Sequence, residues 1–395
     1  MIRKILQKTF IAAILVLSVA CASTGRQIPH PPSYNDFVKL QVENYNEMNA
    51  DYSLRRIELI SCLSDCSNAD DQIDEKTRVK EIRKKCIKNE SDARIVEEIE
   101  QNLEFKKALQ FTAMEMHAIK KSANLNTIVG AGIQSDIDES FGVEHLESAS
   151  VSESPTGLAL ASLIDRYFAL QAKETDDISL AEKLRANIAK LIQKAPDNAL
   201  SFYLNGYWLH KDQKDDEALH QLREGNTKEE FSNYSKERFY AVVQAAESIG
   251  YSQFTARQHA INFSSPGELY SKMVALCKAL IATDKSKDAR KECLSMGVKV
   301  ESASRSTFEK LQGLIIQSLA YRGSSDPKDV ELMSKIIDRQ KTTLENGSNL
   351  LKIPFSEIPE AVWLQYFEIY FAKDEKTAGS YIEDYYSKTR HGNYK

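Results

Sequence analysis

Apolar residues return every three or four positions along this chain, and no run alternates strictly between polar and apolar with turn residues at its ends. The pattern predicts an all-α protein. Leu163, Tyr167 and Leu170 share one helical face, and Leu180, Leu184, Ile188 and Leu191 share the next. Phe202, Gly206 and Leu209 form a third stripe; Ala218, Leu222 and Gly225 form a fourth, after a polar break over 211–215. Met273, Leu276, Cys277 and Leu280 mark another helix. Helix pairs are expected over 303–322 and 330–344, and over 360–372 and 376–388. Asp326-Pro327 reads as a helix start, with Asp326 as cap and Pro327 in the first turn. Pro354 and Pro359 mark a loop. Tyr366, Tyr370, Tyr381, Tyr385 and Tyr386 are expected to cover the last hairpin with their hydroxyls in water.

The stretch Pro196 to Gly225 organises this reading. Pro196-Asp197-Asn198 is turn chemistry with an Asp or Asn available to cap a helix. Gly206 and Ala218 are small enough for the two helices to approach closely. A proline turn, large Phe202, small Gly206, Ala218 twelve residues later and large Leu222 resemble one tetratricopeptide (TPR) unit. Asn205 stands where that family prefers an aliphatic residue. Ala256 lies 38 residues after Ala218, and Ala289 lies 33 after Ala256, close to the family's period. The first helix before Ala256 fits poorly, because Val243 or Gln244 stands where a small residue is expected. The resemblance covers Pro196 to Gly297 and implies an α-solenoid of helical hairpins.

The rest of the chain divides by composition. Met1 to Ala20, with Arg3, Lys4 and Lys8 before the apolar run Phe10 to Leu17, reads as a signal peptide. Ser18-Val19-Ala20-Cys21 resembles the lipobox of bacterial lipoproteins, which implies lipidation of Cys21; ordinary cleavage after Ala20 or Ala22 is the alternative. Ala22 rather than Asp after the cysteine implies, by resemblance to enteric bacteria, the outer membrane, facing the periplasm. Residues 21–33, with Pro29, Pro31 and Pro32, read as an extended lipidated tether. Residues 34–122 read as an N-terminal helical bundle or coiled-coil-like region. Val38, Tyr45, Tyr52 and Leu59 recur every seven residues, and Phe105, Leu109, Met116 and Ile119 line a helix from Asp92 to about Lys121. Residues 123–157, rich in Gly, Ser and acidic residues, read as a linker, with Phe141 to Leu146 as a partner-binding segment within it. Residues 158–395 form the TPR-like α-solenoid.

Loss of a leader with three basic residues takes the net charge from −5 to −8. An acidic chain without a basic stripe argues against nucleic acid. Five cysteines remain after Cys21. Cys277 and Cys293 sit equidistant from a turn near Asp284 to Ser286, so antiparallel helices bring them within disulfide reach. Cys86 is within reach of Cys62 or Cys66 if Ser67 to Glu75 is loop; a zinc site of these three with Asp65 is the sharper but weaker reading. No phosphate loop, HExxH, CxxC or GxSxG is present, and no cofactor or metal is expected. Ser325 and Lys328 form an SxxK, which is better read as the surroundings of a helix start. His210, Asp212 and His220 fall near one hairpin turn, where polar residues are ordinary.

Two function classes follow. The first is a lipid-anchored envelope scaffold that binds a protein or peptide through a helical-repeat groove, in envelope assembly, secretion or wall synthesis. The second is a periplasmic enzyme or transport-associated ligand binder with a site of scattered residues. In the TPR family the first helix of each hairpin lines the concave groove, which implies partner contacts for Tyr203 and Tyr207, and for Val274 and Lys278 in the third unit. The family's carboxylate clamp has lysine and asparagine at the places of Tyr203 and Tyr207, so that specificity does not carry over. Packing of both tyrosines against the preceding hairpin is the competing expectation.

Overall fold

A computed structural model of the chain describes residues 87–93, 96, 111–121, 124–134, 140–151, 156–171, 178–263, 266–283, 288–349, 353 and 357–390. Cys21, the tether, the heptad residues Val38 to Leu59, and Cys62, Cys66 and Cys86 lie outside these. The chain divides into two compact units. One comprises residues 1–109 with 348–357; the other comprises 110–347 with 358–395. In the first, Asp92 accepts from the Lys88 amide at 2.9 Å, and its own amide donates to Asn89 at 2.8 Å.

Helices are the regular elements among the described residues; two extended stretches meet in an isolated bridge. The second unit opens with α1 (Ala113–Lys120), α2 (Leu125–Gln134) and α3 (Ser140–Ser150). Then come α4 (Gly157–Gln171), α5 (Ile178–Lys194), α6 (Ala199–Lys211), α7 (Asp215–Thr227), α8 (Ser235–Ser248) and α9 (Gln253–Phe263). The unit closes with α10 (Gly267–Thr283), α11 (Asp288–Ala303), α12 (Thr307–Tyr321), α13 (Pro327–Asn349), α14 (Glu360–Ala372) and α15 (Glu375–Arg390).

The boundary expected at 123–157 is not a linker. Those residues hold α2 and α3, and the division between units falls at 109/110. α2 is buried from Val129 through Gln134 on every side, so it shows no polar face and no helical stripe in sequence. Its glycines serve close packing rather than flexibility: a Cβ on Gly130 would fall inside the Ala241 carbonyl of α8. Phe141 to Leu146 lies within α3, where His145 and Leu146 are buried. The long helix expected up to Lys121 has a new start at Thr112, whose hydroxyl and Glu115 form a capping box.

The hairpins pack in an order that differs from the order of the chain. α5 lies against α6, α6 against α10, α7 against α11, and α12 against both α10 and α11. The α6/α7 hairpin therefore neighbours α10/α11. The α8/α9 hairpin, which stands between them in sequence, instead lies against α2 and α14. The expected run of three successive units is corrected here: the hairpin around Ala256 leaves the array. Its first helix presents a broad buried surface, Phe239, Ala241, Val242, Val243, Ala245 and Ala246, rather than one small residue facing a partner helix.

Residues 228–234 carry the chain out of the array as an extended strap. Glu230 pairs with Asn198 in a single parallel bridge, with the Ala199 amide donating to the Glu230 carbonyl at 2.9 Å. The Asn198 side chain adds to these backbone bonds. Its carboxamide oxygen caps α6 through the Leu200 amide and accepts from the Ser232 amide, while its NH2 donates to the Ser232 carbonyl. Tyr234, at φ 62°, turns the strap into α8. Left-handed backbone is rare for a tyrosine; its ring lies so close to Gly157 of α4 that a Cβ there would collide with the Tyr234 hydroxyl.

Candidate functional site

Three of the four positions expected to line a groove, Tyr203, Tyr207 and Val274, are core. Tyr203 has no exposed surface and Tyr207 only 8 %. Tyr203 lies on Gly225, where a Cβ would come within 2.5 Å of its ring, and near Phe231 of the strap. Its hydroxyl donates to Asn226 at 2.9 Å. Tyr207 packs edge-on against Phe168 of α4, with the Lys272 ammonium over both rings. Val274 is buried as well. The assignment of Tyr203 and Tyr207 to a partner surface is corrected on this ground: helices α4 and α7 and the strap fill the space in front of them. Lys278 differs, because its side chain reaches solvent from α10.

Burial pushes both hydroxyls up from the usual tyrosine range, helped by the Glu292 charge at Tyr203 and the Glu268 charge at Tyr207. Both stay protonated at neutral pH, and the Tyr203 hydroxyl acts as a hydrogen-bond donor. Tyr366 and Tyr370 were expected to keep wet hydroxyls; Tyr366 is buried, and burial likewise raises both.

Cys277 and Cys293 are joined, with Cα atoms 5.7 Å apart, across the α10/α11 hairpin. Around the bridge, α7 docks on α11 through polar groups. Asn226 donates to the Glu292 carbonyl and carboxylate at 3.0 and 2.7 Å, and Arg223 reaches Asp288 at 2.7 Å. Similar arginines link other neighbours: Arg185 to Asp212 at 2.5 Å, and Arg339 of α13 to Glu301 of α11.

Two buried polar junctions bind the displaced hairpin and the strap to the array. Asp165 of α4 pairs with Arg238 of α8 at 3.0 Å and also accepts from the Leu269 amide in the first turn of α10. Asn233 of the strap donates to Glu309 of α12 at 2.6 Å and contacts the Tyr270 hydroxyl at 2.5 Å. Sequence reasoning missed these groups. Their partners lie 73 and 76 residues away, and no spacing signals such a meeting.

The catalytic-looking sets do not assemble. His210 bonds Asp215 at 2.6 Å, Asp212 bonds Arg185, and His220 is exposed on α7. At the SxxK, Asp326 caps the Lys328 amide at 2.9 Å, and it is Ser324 that donates to Asp329. Among the described residues no group of three or more His, Cys, Asp or Glu could hold a metal ion, and no helix is long and apolar enough to cross a membrane.

What remains open to a partner is the outer side of the array. α5, α7 and α11 bury one stripe each and leave the opposite face in water. Most large apolar side chains are inside. Of the exposed ones, Val298 on α11 and Val330 and Leu332 on α13 are 50 %, 55 % and 40 % accessible. Comparison with protein-family models, with curated proteins and with solved structures finds no match.

Proposed function

We propose that this chain is a lipid-anchored scaffold of the bacterial envelope that binds a protein partner on α11 of its array and on α13, which Arg339 ties to α11. The side-by-side packing of α6/α7 on α10/α11 carries the reading, because stacked hairpins of this kind offer extended binding surfaces without a catalytic group. The contact side differs from that expected for a TPR groove. The chain fills the inner positions itself and leaves Val298, Val330, Leu332 and Lys278 in solvent. Isolated exposed aliphatics are ordinary, but here three of them fall on two helices tied by Arg339 and Glu301. The lipobox resemblance at Cys21 and a formed disulfide both suit an exported protein.

The test places a photocrosslinking residue at Val298, at Leu332 or at the buried control Met273 in the full protein in its native membranes. The same discrete protein adduct at both surface positions and none at Met273 is expected, and Val298→Asp with Leu332→Asp should abolish it. Absence of a common adduct, with helicity intact, would sink the scaffold reading. Cys21→Ala should separately abolish lipid labelling and release the chain from membranes.

A further inference from the structure

Both sulfurs of the Cys277–Cys293 bridge are completely enclosed, at 0 % exposure each. Met273, Leu276 and Leu280 on the same helix as Cys277, and Met296 and Val300 on the same helix as Cys293, are each 2 % exposed or less. Three neighbouring helices then seal the hairpin. α6 lies on α10, and α7 lies on α11 through Asn226, which grips Glu292 next to Cys293. α12 crosses α11 so closely that a Cβ on Gly297 would stand 2.8 Å from the Gly313 carbonyl. An enclosed thiol among apolar neighbours is held protonated and meets no oxidant.

We infer that the bridge is made before these helices close over it, so that the chain is a substrate of a disulfide-bonded donor while its array is still open. The exchange balances without any other reactant. One cysteine thiolate attacks the donor disulfide and releases one donor thiol, leaving a mixed disulfide. The second cysteine thiolate attacks that mixed disulfide, forms Cys277–Cys293 and releases the second donor thiol. Two electrons and two protons pass to the donor. The hairpin alone suffices for this step, because the cysteines are only 16 residues apart. Closure of so short a loop also outcompetes pairing with the distant Cys62, Cys66 or Cys86.

The test uses the full mature chain with Cys21, Cys62, Cys66 and Cys86 replaced by serine. The chain is reduced in urea and refolded without oxidant. It is then given oxidised glutathione in one arm and a disulfide-bonded oxidoreductase in the other. In both arms the folded chain should form the bridge at least about 100-fold more slowly than the chain in urea, because the thiols react only on opening of the array. A slow glutathione arm and a slower protein arm mark the opening as local; equal slowing marks it as global, and either supports the order proposed. Failure of the reduced chain to refold makes prior oxidation obligatory and supports it too. A reduced chain that unfolds cooperatively in urea yet is oxidised as fast folded as unfolded, in either arm, overturns it.

Discussion

The α6/α7 and α8/α9 hairpins are consecutive in sequence and similar in length, yet one builds the array and the other leaves it. α6/α7 is made by local rules. Asn198 caps the first helix, Gly206 stands 3.2 Å from the Ala218 carbonyl if given a Cβ, and Gly225 receives the Tyr203 ring. α8/α9 is placed by distant partners: Gly130 of α2 against its backbone, Asp165 against Arg238, and Glu368 of α14 against Arg257 at 3.0 Å. A hairpin's neighbour is thus set by which small residues and which buried charges await it, not by its place in the chain.

The largest expected effect breaks the tie between the two regions. Asp165→Leu leaves the Arg238 guanidinium buried without its carboxylate and removes the acceptor from the Leu269 amide. It should cost about 4 kcal/mol in urea unfolding. Adding Arg238→Met should recover most of that loss, since two matched apolar groups carry no desolvation penalty. Hydrogen exchange should then show α8 losing protection ahead of α6; loss spread evenly over both would erase the distinction between array and branch.

A matched pair of glycine substitutions sharpens the contrast. At Gly130 a methyl group meets backbone that cannot yield without parting α2 from α8, so Gly130→Ala should destabilise by about 3 kcal/mol. At Gly206 the new methyl is only tight, and one of its neighbours is the movable Leu276 side chain. The helix propensity gained, about 1 kcal/mol, offsets that crowding. Gly206→Ala should leave the urea midpoint nearly unchanged. Equal losses at both sites would mean that the approach of α2 to α8 is no closer than that within α6/α7.

The smallest effect is a pH dependence where α3 meets α4 and α5. Glu147 of α3 accepts from the Tyr167 hydroxyl and pairs with Lys183 at 2.9 Å. Burial pushes its carboxyl up, but the Tyr167 hydrogen bond and then Lys183 outweigh this and hold it below the usual glutamate value. The folded state therefore binds this proton less readily than the unfolded state. The stabilisation is complete above the ordinary carboxylate range and is lost as pH falls through the lowered value. Glu147→Gln should lower the neutral plateau slightly and flatten the acid limb, so that the two profiles converge at low pH, whereas an unchanged plateau and acid limb would remove Glu147 from the account.

Much of the architecture was legible where neighbours in space are neighbours in sequence. The α6/α7 stripes, the Asn198 cap, the Asp326-Pro327 helix start and the symmetric placing of Cys277 and Cys293 all follow from one hairpin at a time. α2 was not legible, because a helix buried all round has no stripe and its two glycines imitate a linker. Tyr203 and Tyr207 misled for a related reason. The family pattern says which face of α6 they occupy, but Phe168, Phe231 and Lys272 decide whether that face is open.

The strap has a consequence in time. A chain emerging from its N-terminus completes α7 long before α11, the helix that will cover it, because residues 228–287 must come first. At about 5–20 residues per second, those roughly sixty residues keep the flank of α7 waiting for several seconds. During that interval Leu222 and the Gly225 surface have only their own hairpin for shelter. The detour that diverts α8 toward α2 thus also sets how long a half-built array stays adhesive, and so how far its assembly depends on whatever attends the chain as it folds.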